Sequence, residues 1–241
     1  MKTYIINLER SKDRKKYMEE ILKDYPSLDY EFVAAVDGKA MNEAECLARF
    51  NTEKFKYRYS REVRPGEIGC TLSHQKCYRK MLDDNETCVL ILEDDILKPS
   101  TSIESVVSKL EGALSSEIPQ IILLSGWFWF ECASQLTPEY KLVNVFDALL
   151  THAYIINKAA AKVLIEERPY ITADDWRYIR RRGVKLRALY PHLVNQNWDG
   201  SIPSTVDVEK KNKVSFRWYW HNAFRLAYMK LLKIIGRFEK P

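Results

Sequence analysis

Short apolar blocks alternate with charged, helix-forming stretches from the first residues onward. Tyr-Ile-Ile-Asn-Leu at 4 to 8 is compact and β-branched, and it runs into a charged segment that opens a helix reaching about Lys23, with Ser11 as N-cap. Residues 29 to 36 read as a second strand, closed by the turn dipeptide Asp37-Gly38. An irregular, charged Arg/Tyr stretch near 51 to 64 leads to a turn at Pro65-Gly66. A helix then runs to Leu82, with Ile68, Leu72, Tyr78 and Leu82 on its buried side. Residues 89 to 92 are apolar without alternation, which predicts a central strand covered on both faces. Further strands are expected at 121 to 126, 153 to 157 and 186 to 190, and a helix at 159 to 167. Strands separated by helices, without internal repeats, predict an α/β fold: a mostly parallel open sheet with helices on both faces. Ligands of such sheets gather at the carboxyl ends of the strands.

Composition narrows the class. A chain of 241 residues that is 46% hydrophobic and 29% charged suits one main folded domain and excludes disorder. The formal charge of +5 is unevenly placed: residues 209 to 241 carry nine Lys/Arg against two Glu, leaving 29 basic against 31 acidic residues elsewhere. The chain therefore divides into a domain at 1 to 208 and a basic tail at 209 to 241. Cys46, Cys70, Cys77, Cys88 and Cys132 form neither a CxxC pair nor a zinc pattern and read as reduced thiols. The first apolar run is too short for a signal peptide, and no segment approaches the ~18 apolar residues of a membrane span, so a cytoplasmic location is expected.

The central strand runs into Glu93-Asp94-Asp95. Three adjacent carboxylates at a strand end require a cation, solvent or raised pKa values. Glu93 and Asp95 point to one side, so they can make a hard-ion site for Mn²⁺ or Mg²⁺ that grips a diphosphate; alternatively, the aspartates begin a turn and cap the next segment. No GxxxxGK[ST] loop precedes them and no GxGxxG follows the first strand, which disfavours P-loop ATPase and dinucleotide-dependent dehydrogenase chemistry.

Four segments in this order, I5-I-N-L-E-R-S-K-D-R14, A35-V-D-G38, G66-E-I-G-C-T-L-S-H74 and I91-L-E-D-D95, resemble glycosyltransferase family 25, the lipooligosaccharide biosynthesis glycosyltransferases, over roughly residues 3 to 200. The resemblance implies a GT-A-like (Rossmann-like) domain, a divalent metal (Mn²⁺ or Mg²⁺), a UDP-sugar donor and inversion at the anomeric carbon. By position it implies donor binding at Asn7, Arg10, Arg14, Asp37, Gly38, Gly69, His74, Glu93 and Asp94. It also makes Asp95 and Glu93 metal ligands, and His192 is a further candidate because imidazole suits Mn²⁺. Gly66, Glu67 and Ser73 complete the third motif, whose glycines would admit a ligand to the backbone and whose helix start would favour phosphate. Each residue also has an ordinary structural reading: capping for Asn7, a solvated helix face for the arginines, a simple turn for Asp37-Gly38, and a satisfied core position for His74. Asp175, with Asp174 as second choice, is the candidate base that deprotonates the acceptor, although the pair would serve equally as a helix N-cap before Trp176. Pro191 and Gln196 match the last motif. Tyr78 and Ala160 depart from the family's usual Trp and Gly, changes that read as packing.

In the tail, Trp220, Phe224, Ala227, Leu231, Ile234, Ile235 and Phe238 share one helical stripe away from Arg225, Lys230, Lys233 and Arg237. This basic amphipathic helix suits peripheral contact with an anionic membrane, on the inner face of the cytoplasmic membrane, where a lipid-linked oligosaccharide acceptor would sit; packing on the domain or on another subunit is the alternative. Nucleic acid is not an expected partner, since no basic groove is suggested elsewhere. The expected function is transfer of a sugar, galactose foremost, from a UDP-sugar to lipooligosaccharide or lipopolysaccharide. The alternative is a non-catalytic nucleotide-sugar or glycan binding module on the same fold.

Overall fold

The computed structural model describes residues 1–99, 103–114, 117–195 and 216–240. In chain order the elements are β1 (Lys2–Asn7), α1 (Lys12–Leu22), β2 (Tyr30–Ala34), α2 (Glu43–Arg49), α3 (Thr52–Tyr59), α4 (Pro65–Asp83), β3 (Cys88–Glu93) and α5 (Ile103–Leu114). They continue through β4 (Gln120–Leu123), β5 (Trp127–Gln135), β6 (Lys141–Leu149), β7 (Ala153–Asn157), α6 (Lys158–Leu164), α7 (Trp176–Arg181) and β8 (Lys185–Tyr190) to α8 (Phe216–Ile234) and β9 (Phe238–Glu239). The nine strands of the described residues join one sheet in the order β2-β1-β3-β7-β4-β8-β6-β5-β9.

Alternation along β1 divides the core. Tyr4 and Ile6 face the layer of α4, α6 and α7, while Ile5 faces α1 and α5. Val89, Leu90, Ile91 and Leu92 of β3 are buried on both faces, as their unbroken apolar run predicts. At about 2 kcal/mol for each buried aliphatic side chain, this strand alone contributes several kcal/mol to holding the sheet between its helices. A third cluster, Phe50, Phe55, Ile68 and Leu72, seats α3 on the start of α4.

The α/β class with helices on both faces is as expected, and the strand directions are mixed. β1 pairs in parallel with β2 and β3, and β4 with β8. β7 inserts antiparallel between β3 and β4, and the long β5–β6 hairpin, a feature absent from the sequence expectation, adds further antiparallel pairs. Bulges after Trp129 and Phe130 interrupt the hairpin's alternation, which hides its period-two signal. The stretch at 51 to 64 is likewise more regular than expected. Asn51 caps α3 by accepting the Lys54 N–H (3.0 Å), and Phe55 is its one buried anchor.

The C-terminal segment is stitched to the same sheet. Gly236, at φ 72°, reverses the chain after α8, and Arg237 N–H reaches back to the Leu232 carbonyl (2.8 Å). Phe238 therefore leaves the expected helical stripe; it pairs with β5 and packs its ring on Trp129. The inner side of α8 holds buried Leu232, Tyr228 edge-on to Phe146, and Arg225 in an ion pair with Asp147. Its outer side leaves Phe224, Leu231, Ile234 and Ile235 exposed, with Phe224 at 81%. Residues 209 to 215 and the side chain of Trp220 lie outside the described residues.

Candidate active site

Parallel β1 and β3 end side by side, which brings Asn7 and Arg14 to the acidic cluster. Asn7 Nδ2 donates to Asp94 Oδ2 (2.6 Å). Arg14 straddles both aspartates, Nη1 on Asp94 Oδ1 at 2.8 Å and Nη2 on Asp95 Oδ2 at 2.7 Å. A single guanidinium thus relieves the repulsion between two of the three adjacent carboxylates. Burial pushes the Asp94 pKa up to about 6, against Arg14 and Asn7, which favour its charge, and with Asp95 and Glu93, which oppose it.

Because β7 runs antiparallel to β3, the residue before β7 faces the last residue of β3. Glu93 N–H donates to the His152 carbonyl (2.8 Å), and the Thr151 hydroxyl donates to Glu93 Oε1. His74, buried in α4, sets Nε2 3.4 Å from the same oxygen and Nδ1 2.7 Å from the Tyr154 hydroxyl. Burial opposes ionisation of Glu93, but His74, His152 and Thr151 together outweigh it and hold the group below the usual carboxylate range.

Ligating atoms of Glu93, Asp95 and His152 all lie within 4.8 Å of one another, as do those of Cys70, His74 and Glu93. Two carboxylates and an imidazole fit Mn²⁺ or Mg²⁺ better than the thiol-containing set does. His152 was missed in the sequence because its place depends on the direction of β7. The clue was a histidine immediately before a fully buried strand.

The second acidic place approaches through the same corner. Leu150, with a positive φ of 75° that is unusual for a bulky residue, donates its N–H to Asp174 Oδ2 (3.4 Å) and accepts from Trp176 Nε1 (2.9 Å). Leu150, Thr151 and His152 therefore touch Asp174, Glu93 and the candidate metal cluster in succession. Cys70 lies between the two places: burial raises its pKa most, and the charges of Glu93, Asp174 and Asp95 raise it further.

Asp174 and Asp175 have different environments. Asp175 Oδ1 caps α7 by accepting the Tyr178 N–H (3.0 Å). Its Oδ2 accepts from Arg58 Nη2 (2.7 Å), Arg58 Nε (2.9 Å) and the Tyr59 hydroxyl (2.5 Å). Asp175 thus serves as an N-cap, and both of its oxygens accept hydrogen bonds. At Asp174, burial raises the pKa, opposed by hydrogen bonds from Thr172 and Leu150 and reinforced by the charge of Asp175.

A model of glycosyltransferase family 25, described as an LPS biosynthesis protein, matches residues 1–176. The chain belongs to glycosyltransferase family 25. A procollagen galactosyltransferase 2 from Homo sapiens is 38% identical over 174 residues, covering 69% of this chain and 28% of that protein. Glycosyltransferase 25 family members from Aedes aegypti (32% over 178 residues, 69% of this chain, 28% of that one) and Drosophila melanogaster (36% over 220 residues, 88% and 33%) are also similar. The chain thus spans about a third or less of these relatives.

In this family 25 member several motif residues have structural partners. A Cβ on Gly38 would lie 1.8 Å from the Pro65 carbonyl oxygen, and one on Gly69 would lie 2.7 Å from the Gly38 nitrogen. These glycines admit the strand-end loop and the helix backbone to each other. Ser73 ties the same contact, accepting from Val36 N–H (2.8 Å) and donating to the Gly69 carbonyl (2.7 Å). Glu67 is held by Arg61 (2.5 Å) and caps α4 at the Arg64 N–H (2.9 Å). Arg10 pairs with Asp37 at the surface (2.5 Å), and that hydrogen bond lowers the Asp37 pKa. His192 is apart from both candidate metal clusters. Its Nδ1 lies 2.6 Å from Glu239 of β9 and its Nε2 meets Asn195, so the loop after β8 points this imidazole at the C-terminal strand. Gln196 lies outside the described residues.

Proposed function

We propose that the chain is an inverting, metal-dependent glycosyltransferase that moves a sugar, galactose foremost, from a UDP donor to a lipid-linked lipooligosaccharide or lipopolysaccharide glycan. The observation that carries this reading is the short Leu150–His152 bridge joining a partly buried Asp174 of raised pKa to the Glu93, Asp95 and His152 cluster. In this reading Asp174 accepts the proton of an acceptor hydroxyl as that oxygen attacks the anomeric carbon. The bond from that carbon to the diphosphate breaks on the opposite side, its electron pair leaving with UDP. Glu93, Asp95 and His152 would hold the divalent cation, which when bound neutralises charge on the departing diphosphate. Arg14 and Asn7 act as positioning residues that keep the carboxylates in place. Galactose is favoured by the names of the procollagen galactosyltransferase relatives.

A panel of UDP- and GDP-sugars incubated with the full chain tests the reading through release of nucleoside diphosphate. UDP-galactose is expected to turn over fastest with Mn²⁺ and to stop with EDTA. Tight donor binding with no release would favour a nucleotide-sugar binding module, and faster release from a GDP-sugar would overturn the donor assignment.

We also propose peripheral contact with the inner face of the cytoplasmic membrane through the outer side of α8. No helix among the described residues is long and apolar enough to cross a membrane. Phe224, Leu231, Ile234 and Ile235 are exposed, as are Lys230, Lys233 and Arg237 of the same segment, of which Lys233 also lies over the Phe238 ring and Arg237 donates to the Glu131 carbonyl. That arrangement suits an anionic bilayer, each cation adding ~1 kcal/mol. The chain should float with phosphatidylglycerol vesicles, and Phe224→Ser with Ile234→Ser should remove most of that binding. Equal flotation of wild type and double variant would refute the contact.

A further inference from the structure

A large cleft of about 1070 Å³ opens beside Asp174, walled by α3, the β6–β7 corner, α7 and α8. Six cationic side chains, Lys54, Lys56, Arg58, Arg177, Arg181 and Arg225, line it against only three carboxylates, Asp147, Asp174 and Asp175. Ion pairs account for half of the cations: Arg58 with Asp175 (2.7 Å), Arg225 with Asp147, and Lys56 with Glu62 (2.5 Å).

Arg177 and Arg181 have no carboxylate partner among the described residues. Arg177 donates to the neutral Asn222 Oδ1 (2.9 Å), an interaction that holds the side chain without neutralising it. Burial, followed by the charges of Arg181 and Arg225, pushes its pKa down, against the smaller pull of Asp147 and Asp175. The two arginines are four residues apart on α7, on one helical face, where like charges destabilise the helix. An arrangement that costs stability in the free protein becomes favourable when an anion lies between the guanidiniums. Aromatic rings complete the lining: Tyr57, 92% exposed, presents an open face suited to a sugar ring, with Tyr59 and Tyr170 nearby in the same wall.

We propose that this cleft is the acceptor subsite and that Arg177 and Arg181 bind an anionic group, phosphate or carboxylate, on the acceptor glycan. The assignment rests on reading Asp174, in the same wall, as the base. It gives α8 a second task, because Asn222 and Arg225 make the C-terminal helix part of the glycan site.

Calorimetric titration of the full chain with glucose 6-phosphate, glucuronate and glucose tests the proposal. One or both anionic sugars should bind at least about tenfold more tightly than glucose, in line with charge-assisted hydrogen bonds, and the preferred one identifies the group. Arg177→Gln with Arg181→Gln should abolish the preference, while Arg177→Lys with Arg181→Lys should keep part of it; thermal melts establish that both variants fold. Equal affinity for all three sugars in the wild type would overturn the proposal. So would an undiminished anion preference in the folded double Gln variant. Binding is read without turnover, so an active Asp174→Asn enzyme would sink the base assignment alone, and equal sugar binding would sink the anionic subsite alone.

Discussion

Asp174→Asn is expected to lower the transfer rate by about 10³-fold while leaving UDP-sugar affinity within about threefold of wild type. Asparagine keeps the shape and the oxygen that accepts the Leu150 N–H, so the β6–β7 corner retains its hydrogen bond. It removes the basic lone pair that, in the proposed mechanism, takes the acceptor proton. Burial raises the Asp174 pKa from its ordinary value, and in the proposed mechanism the ionised form is the active one. Activity is therefore lost as pH falls through that raised value, and the acidic limb of the kcat/KM profile should vanish in the variant. The sign for stability is opposite. A folded-state pKa raised above the unfolded value favours the fold at low pH and disfavours it as pH rises and the carboxyl ionises. At neutral pH the asparagine variant should melt no lower than wild type. Asp175→Asn makes the contrast: it leaves the Arg58 charge uncompensated in a partly buried site and should cost about 2 kcal/mol of stability. Wild-type turnover in Asp174→Asn, or an unchanged acidic limb, would remove Asp174 from the reaction.

The two aspartates also mark how far the chemistry could be read from sequence. Three carboxylates at the end of an apolar strand are an electrostatic anomaly in any fold, so Glu93, Asp94 and Asp95 were legible. Asn7 and Arg14 stood out through the first motif, as donor contacts, whereas their contacts with Asp94 and Asp95 follow from the pairing of β1 with β3. Nothing local distinguishes Asp174 from Asp175. Their environments differ through Arg58 and Tyr59, which α3 brings to Asp175 across 117 and 116 positions of chain. α3 was itself hidden, since a short helix with Phe55 as its sole buried residue carries almost no periodic signal. The same reasoning explains Gly38 and Gly69. A glycine's need for space is visible in sequence, but whether ligand or backbone fills that space is decided by tertiary packing. The antiparallel entry of β7 was equally hidden, because its apolar run at 153 to 157 is the same read in either direction, and His152 went unseen with it.

For that reason His152 carries the second large expectation. His152→Ala and Asp95→Asn should each weaken Mn²⁺ binding by more than about 100-fold, since loss of a direct ligand should exceed the 10- to 100-fold cost of losing an outer-shell partner. Titration followed by the electron paramagnetic resonance of free Mn²⁺ measures this without turnover. Asp95 has two calls on its charge: Arg14 already holds Oδ2 at 2.7 Å, so an incoming cation competes with a guanidinium. Asparagine at this position weakens both interactions, whereas alanine at 152 leaves the Arg14 contact intact. The histidine substitution therefore isolates the metal. Glu93 N–H bonds to the backbone carbonyl of residue 152, so that strand contact survives the side-chain change. His192→Ala supplies the comparison. Its imidazole is held by Glu239 and Asn195, and its loss should leave Mn²⁺ affinity within about threefold. If His192→Ala released Mn²⁺ and His152→Ala did not, the imidazole ligand would have to come from the loop after β8, and the antiparallel start of β7 would have no part in the metal site.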